Sequence, residues 1–246
     1  MQKKPFITIV ILLIGIISNT QAQNPDSISN AQAGSDVEFH LHSDFVTNYV
    51  WRGLKLGDVS LQPEMSVSWK GLSLSAWGNV GLSNKDDASE IDLTLSYGTG
   101  GLSLGVVDYW SDSDDKRYFY YQKDHTGHVF EGFVQYDFGA VAASWQTIFA
   151  GRDYRVGDGK REYSSYLMVS APFTFATCDW GATVGIVPWK TEYYDTGGFS
   201  VTTLSLRATK TLPITGKFAM PLFGELIANP AHQGFFFVFG FTLKAL

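Results

Sequence analysis

Two histidines and two carboxylates at alternate positions form the segment of this chain that is best suited to chemistry. Residues 38–44 have the sequence EFHLHSD, so Glu38, His40, His42 and Asp44 would share one face of an extended strand. Because neutral imidazole and carboxylate both bind divalent metals, such a row could hold a metal ion. We favour the interpretation that every second residue is polar because it faces a water-filled interior, and we expect neither a metal nor another cofactor.

A second pattern, GLSLG at residues 101–105, matches the G-x-S-x-G of serine hydrolases. That motif requires a strand, a sharp turn and a helix, whereas Ser103 falls within an alternating strand that follows a glycine turn. His125, His128 and His232 fall in predicted loops, but no spacing singles out a nucleophile with its base. We therefore predict no catalytic residues and keep a lipid-modifying enzyme as a third hypothesis.

The segment 111–125, SDSDDKRYFYYQKDH, combines acidic and aromatic residues. Aligned as a calcium loop from Asp112, it has Arg117 where glycine is needed and Lys123 where glutamate is needed, which excludes that site. Such a loop can bind carbohydrate or a protein partner, or fold into a pore and narrow it. It can equally be a solvated loop with tyrosines at a membrane surface.

The elements that would position these residues are strands. Residues 36–53, DVEFHLHSDFVTNYVWRG, alternate apolar and polar side chains, which predicts one long strand. About 9 to 11 tilted residues cross a bilayer, and Tyr49 and Trp51 would lie at the level of the lipid headgroups. The first hypothesis is therefore a membrane β-barrel.

The same alternation recurs along the chain and predicts about twelve antiparallel strands, an even number as in bacterial barrels. Around residues 199–203 the alternation changes phase, which indicates a bulge or a late strand start. Connections after odd strands are mostly long and those after even strands mostly tight, except 172–179 and 210–217. This pattern is typical of an outer-membrane barrel with both termini in the periplasm. The other predicted strands are 61–70, 72–82, 90–97, 102–110, 129–138, 141–149, 163–171, 180–187, 202–209, 218–228 and 235–243.

The ends and the composition agree with export. Residues 1–22 have a basic tip, an apolar run and a small-residue cleavage pattern, which predicts a signal peptide; 23–35 would be a flexible lead-in and 36–246 the barrel. Removal of Lys3 and Lys4 leaves 16 basic and 24 acidic residues, a net charge of −8. This balance argues against nucleic acid as a partner and hints that anions are not favoured. Cys178 is the single cysteine, so no internal disulfide can form.

The inward parity of the predicted strands collects charged and polar residues, whereas the outward parity avoids charge except at Asp108, near a long loop. A charge on the lipid face at mid-depth would cost about 2 to 4 kcal/mol. Sequence does not decide whether the charges inside pair tightly and plug the interior or are hydrated. The predicted pore-lining residues are Glu38, His40, His42, Asp44, Asn48, Arg52, Glu64, Asp92, Glu131, Arg207 and Glu225.

Residues 36–110 resemble the TorF-type porin family of small Gram-negative outer-membrane proteins. The resemblance rests on SDFVTNYVWRG at 43–53, on Gln62, on WGNVG at 77–81 and on SEIDLTLSYG at 89–98, in that order. It implies an outer-membrane location and a barrel, and it says less about any solute. The last strand also resembles a barrel-assembly signal, which implies the assembly machinery as a partner, although the chain ends in Leu246 where an aromatic residue is usual.

The leading hypothesis from the sequence is a passive channel for small polar solutes in the outer membrane, in contact with outer-membrane lipid. The alternative is a non-conducting barrel that presents surface loops for adhesion or partner binding. A soluble β-sandwich is a rival fold that would bury the same apolar faces inward. It requires neither strands of this length nor aromatic strand ends.

Overall fold

A computed structural model describes residues 37–244 except 85, 86, 88, 113–116, 123–125, 156 and 217. Twelve antiparallel strands of the described chain close into one barrel, which confirms the predicted fold class. No helix of the described part is long and apolar enough to cross a membrane. The predicted signal peptide and lead-in, together with His125 and Leu246, lie outside the described residues.

Each barrel strand pairs with its neighbours in the chain, and β1 closes the ring by pairing with β14 as well as β4. A separate two-stranded sheet, β2 with β3, lies between β1 and β4 in the chain. The strands are β1 (Glu38–Val46), β2 (Tyr49–Trp51), β3 (Leu54–Gly57), β4 (Ser60–Trp69), β5 (Leu72–Gly81), β6 (Glu90–Thr99), β7 (Leu102–Ser111), β8 (His128–Asp137), β9 (Ala142–Gly151), β10 (Ser165–Phe175), β11 (Cys178–Val187), β12 (Ser200–Pro213), β13 (Ala219–Asn229) and β14 (Gly234–Lys244).

The alternating sequence produces an apolar outer surface. In β14, Phe235 and Phe237 are 68% and 55% exposed, whereas Val238 on the other face is 6% exposed. Successive side chains of a strand point to opposite faces, so the phenylalanines cover the outside of the barrel and Val238 faces inward. The outside is therefore suited to lipid and the inside holds the candidate site.

The two rims of the barrel differ in their connections, and we call them the loop end and the turn end. The connections β1–β4, β5–β6, β7–β8, β9–β10, β11–β12 and β13–β14 leave the barrel at the loop end. At the turn end the connections are short, and the prediction of long ones at 172–179 and 210–217 was wrong because β10 and β12 extend further than their alternation indicated. Ala176 and Thr177, both with positive φ, make the turn between β10 and β11.

The prediction that residues 36–53 form one strand was wrong. The barrel strand ends at Val46, and Tyr49 is only 8% exposed because it lies inside the barrel rather than at a headgroup level. Thr47 and Asn48 leave the wall while hydrogen bonding to the backbone of β14, at Phe239 and Phe237. The following residues turn inward as the β2–β3 hairpin.

The change of phase near residue 200 is a bulge, as one of the two sequence interpretations predicted. The pairing of β11 with β12 slips between Gly185 and Ile186, and both Thr202 and Thr203 on the bulged strand are buried. A bulge adds one residue to a strand and so shifts its alternation by one position.

Bulky inward side chains lie against glycines of the next strand. Phe133 covers Gly105 and Tyr166 covers Gly185, each so closely that a Cβ on the glycine would overlap the ring or its hydroxyl. Phe223 covers Gly240 in the same way. The missing side chain of each glycine lets the ring lie along the wall of the barrel.

Candidate functional site

The β2–β3 hairpin folds into the barrel, and a two-residue turn joins its two strands. Trp51 pairs with Leu54, and the turn residues Arg52 and Gly53 both have positive φ, 50° and 79°. Positive φ at both central residues defines the type I′ turn, whose twist fits the right-handed twist of two paired strands. The turn therefore makes a tight hairpin that carries Arg52 at its tip.

The hairpin tip touches the wall at β12 and β13. Asn229 of β13 donates a hydrogen bond from Nδ2 to the carbonyl oxygen of Gly53 at 3.0 Å. A Cβ at Gly53 would overlap the carbonyl oxygen of Thr202 in β12. Only glycine fits this contact, so the tip is fixed against β12 and β13.

Arg52 makes the most strongly bonded contact inside the barrel. Its Nη1 and Nη2 each donate a hydrogen bond of 2.7 Å to one oxygen of Glu131, which is 1% exposed. Tyr109 donates to the same carboxylate at 2.8 Å, and Arg52 donates to the hydroxyl of Tyr194. The guanidinium also lies 4.7 Å from the ring centroid of Tyr166. A buried guanidinium requires such a paired and aromatic environment.

The environment of the hairpin tip changes the proton affinities of its groups. Burial alone would lower the pKa of Arg52, but the Glu131 carboxylate beside it raises that pKa well above its usual value. Burial raises the pKa of Tyr194 well above its usual value, against an opposing effect of Arg52. Both shifts favour a charged Arg52 beside a neutral Tyr194.

Apolar contacts hold both sides of the hairpin. Val50 packs against a buried cluster of Val46, Phe223, Ile227 and Val238. Trp51 and Leu54 pack against a second cluster, which contains Tyr166, Val187 and Tyr194. The hairpin therefore occupies the loop-end half of the lumen as a packed element.

The base of the hairpin is attached to β5, β6 and the 82–89 loop. The Tyr49 hydroxyl donates to Glu90 at 2.9 Å, and its ring lies 5.6 Å from that of Trp77. The backbone N–H of Asp58 donates to the Asp87 carboxylate at 2.9 Å. The hairpin is thus attached at its base and at its tip.

The turn-end half of the lumen has a different lining. Six short hydroxyl side chains lie side by side on the inward faces of β4, β5 and β6, and all are partly exposed. Hydroxyls donate and accept hydrogen bonds and leave room for water. They are Ser66, Ser68, Ser73, Ser75, Thr94 and Ser96.

The predicted pore-lining residues divide between the two halves. On the inward face of β1, His40 Nε2 lies 3.8 Å from Glu38 Oε2. His42 Nε2 of the same strand lies 3.7 Å from Glu64 Oε2 on β4. Asp44 is 4% exposed and faces inward on β1. In the described chain, no three His, Cys, Asp or Glu side chains are arranged to hold a metal ion.

The remaining predicted residues lie on other elements. Arg207 and Glu225 face inward on β12 and β13, 3.7 Å apart, with the guanidinium 3.7 Å from the ring centroid of Phe223. Asp92 faces inward on β6. Asn48 and Arg52 lie outside the barrel strands, because the predicted long strand ends at Val46.

Four residues of the hairpin site were not predicted as lining. Glu90 and Tyr109 have the inward parity of β6 and β7, so alternation could have found both. Tyr166 and Tyr194 contact Arg52 only because of tertiary packing, for which the sequence gives no signal.

The outer wall carries a buried Asp–His pair near the loop end. His128 is fully buried; its Nδ1 lies 2.7 Å from Asp108 Oδ1, and its Nε2 donates to the carbonyl oxygen of Tyr118. Asp108 is thus the outward charge near a long loop that the sequence indicated. Ser103 lies in β7 on the inward face, 1% exposed, in the strand that its alternation predicted.

Comparison with known proteins finds no match among family models, curated proteins or solved structures.

Proposed function

We propose that this protein is an outer-membrane channel for passive diffusion of small polar solutes, narrowed at its loop end by the β2–β3 hairpin. The observation that carries the proposal is the inward-folded hairpin in a barrel whose turn-end half carries a patch of hydroxyls on β4, β5 and β6. A twelve-stranded barrel lies between small barrels filled by side chains and wide porins. The hairpin therefore sets an upper limit on the size of the solute.

The location belongs to the same proposal. A membrane barrel differs from a soluble one in that apolar side chains point outward along each strand and alternate with polar side chains that point inward. The predicted signal peptide, the short and long connections on opposite rims, and the resemblance of residues 36–110 to TorF-type porins are further reasons for it.

Single-channel recording in planar bilayers tests the proposal. The wild-type protein is compared with a variant in which residues 48–58 are replaced by a short Gly-Ser linker. We expect small discrete conductance steps for the wild type and steps several times larger for the variant. A Lys55→Gln variant, which changes an exposed residue of the same hairpin, should conduct as the wild type does.

One observation favours a second function, a non-conducting barrel that presents loops to a partner. The tip of the hairpin leaves no room for even a Cβ against Thr202, and Phe119 in the loop before β8 is 85% exposed. If neither the wild type nor the hairpin-shortened variant conducts at high protein load, the channel is excluded and this second function stands.

A further inference from the structure

Carboxylates outnumber cationic groups on the inward surface. Of the Lys and Arg residues in the twelve described barrel strands, Arg207 and Lys244 face inward, and the hairpin adds Arg52. Arg52 is paired with Glu131, Arg207 lies beside Glu225, and Lys244 is within electrostatic range of Asp44. Each inward cation therefore already has an acidic neighbour.

On β4, β5 and β6, three inward carboxylates have no Lys or Arg partner among the described residues: Glu64, Glu90 and Asp92. Glu64 has His42 at 3.7 Å, and Glu90 accepts a hydrogen bond from Tyr49. The Oδ1 atom of Asp92 is fully buried and accepts no hydrogen bond from any described residue. A buried carboxylate oxygen without a partner is costly, which favours a cation close to it.

The three carboxylates lie close together on neighbouring strands, with Trp77 between Glu64 and Asp92, and we call them the carboxylate strip. Glu90 and Asp92 are two residues apart on β6 and so share the inward face. Trp77 of β5 pairs with Glu64 on one side and with Asp92 on the other, so the strip crosses β4, β5 and β6 in one row. The hydroxyls of the turn-end half lie on the same three strands.

We propose that this channel selects small cations, namely monovalent metal ions and small protonated amines, over anions, and that Glu64, Glu90 and Asp92 determine this preference. The inference rests on the proposed channel function. Rows of acidic side chains select cations in channels, because their field raises the local concentration of the opposite charge between low-dielectric walls.

The test is the reversal potential across a planar bilayer under a tenfold KCl gradient. We expect the wild type to prefer potassium over chloride by roughly tenfold. The double variant Glu64→Gln/Asp92→Asn, which leaves the Tyr49–Glu90 attachment of the hairpin intact, should lose most of that preference while keeping its conductance steps. Asp195→Asn is the matched control, because its side chain is 98% exposed in a loop and its positive φ suits asparagine.

Folding of each variant is checked by the heat-dependent gel mobility of the intact barrel, and Glu64→Gln serves as a second variant if the double variant does not fold. Conductance without a cation preference, or a preference that neither variant lowers, would overturn this inference and leave the channel function intact. Failure of both wild-type and hairpin-shortened protein to conduct would instead remove the channel, and the cation preference with it.

Discussion

The two halves of the lumen hold ion pairs of opposite character. At the loop end, Arg52 and Glu131 are joined by two bonds of 2.7 Å, with side chains 11% and 1% exposed. Toward the turn end, His42 and Glu64 lie 3.7 Å apart, with side chains 27% and 25% exposed. One pair fixes a packed element, and the other borders water. Charge inside this barrel thus has a structural use at one end and is available to solutes at the other.

The largest effect should follow from breaking the loop-end pair. Arg52→Met leaves the Glu131 carboxylate buried without its cation, and the loss of one partner of a buried pair costs about 3 to 5 kcal/mol. We expect the hairpin to leave its position, so the conductance steps should rise toward those of the hairpin-shortened variant. Urea unfolding in lipid vesicles, followed by tryptophan fluorescence, should show the lower free energy of unfolding.

Adding Glu131→Gln to Arg52→Met should recover part of that loss, because the buried charge is then removed. Lys55→Met removes a cation from an exposed pair of the same hairpin and should cost at most about 1 kcal/mol. An equal loss for Lys55→Met and Arg52→Met would mean that the loop-end pair is no more structural than a surface pair.

The second-largest loss of stability is expected at the tip of the hairpin. Gly53→Ala introduces a Cβ at a φ of +79° that also overlaps the Thr202 carbonyl, so we expect a loss of about 2 to 4 kcal/mol. Gly100→Ala is the turn-end control: its φ is +55°, but no atom lies within 4 Å of its Cβ position, so the loss should be about 1 to 2 kcal/mol. Urea unfolding measures both variants, and similar losses would show that the tip does not press on β12.

Glycine substitutions on the two faces of the wall should also differ in their effect on stability. Gly185→Ala would place a Cβ where the Tyr166 hydroxyl lies, and we expect a loss of about 1 to 3 kcal/mol from overpacking. Gly224→Ala on the outer face meets only Phe237 at 3.6 Å, an ordinary contact, and should change stability by less than about 1 kcal/mol. The same unfolding assay compares the two variants. An equal loss of stability for Gly185→Ala and Gly224→Ala would mean that the Tyr166 ring is not tightly packed against Gly185.

The barrel could be predicted from the sequence, whereas the plug at its loop end could not. Alternation fixes which face of a strand is apolar, so it identified the walls and the inward side of Glu64, Asp92 and Glu131. The same alternation continues through Tyr49 and Trp51, because a hairpin strand obeys the same period as a wall strand. Periodicity therefore cannot separate one long strand from a strand followed by a hairpin.

A local signal for the hairpin exists at Arg52-Gly53, between the alternating segments YVW and LKL. It is weak, because type I′ turns favour Asn-Gly and Asp-Gly, and an arginine at positive φ is uncommon. Here Glu131, Tyr166 and Tyr194 stabilise the arginine from three other elements. The turn is thus determined by tertiary contacts that no local pattern encodes.

The smallest effect on stability belongs to the turn-end half. His42→Gln removes the weak contact with Glu64, and a partly solvated pair at this distance contributes at most about 1 kcal/mol, so the unfolding midpoint should barely move. The permeation of a small protonated amine should nevertheless change, because Glu64 lies on the carboxylate strip and loses its imidazole neighbour. Liposome swelling assays compare this variant with the wild type. If His42→Gln destabilises the barrel as much as Arg52→Met does, the two halves do not differ in the way that their exposures and distances indicate.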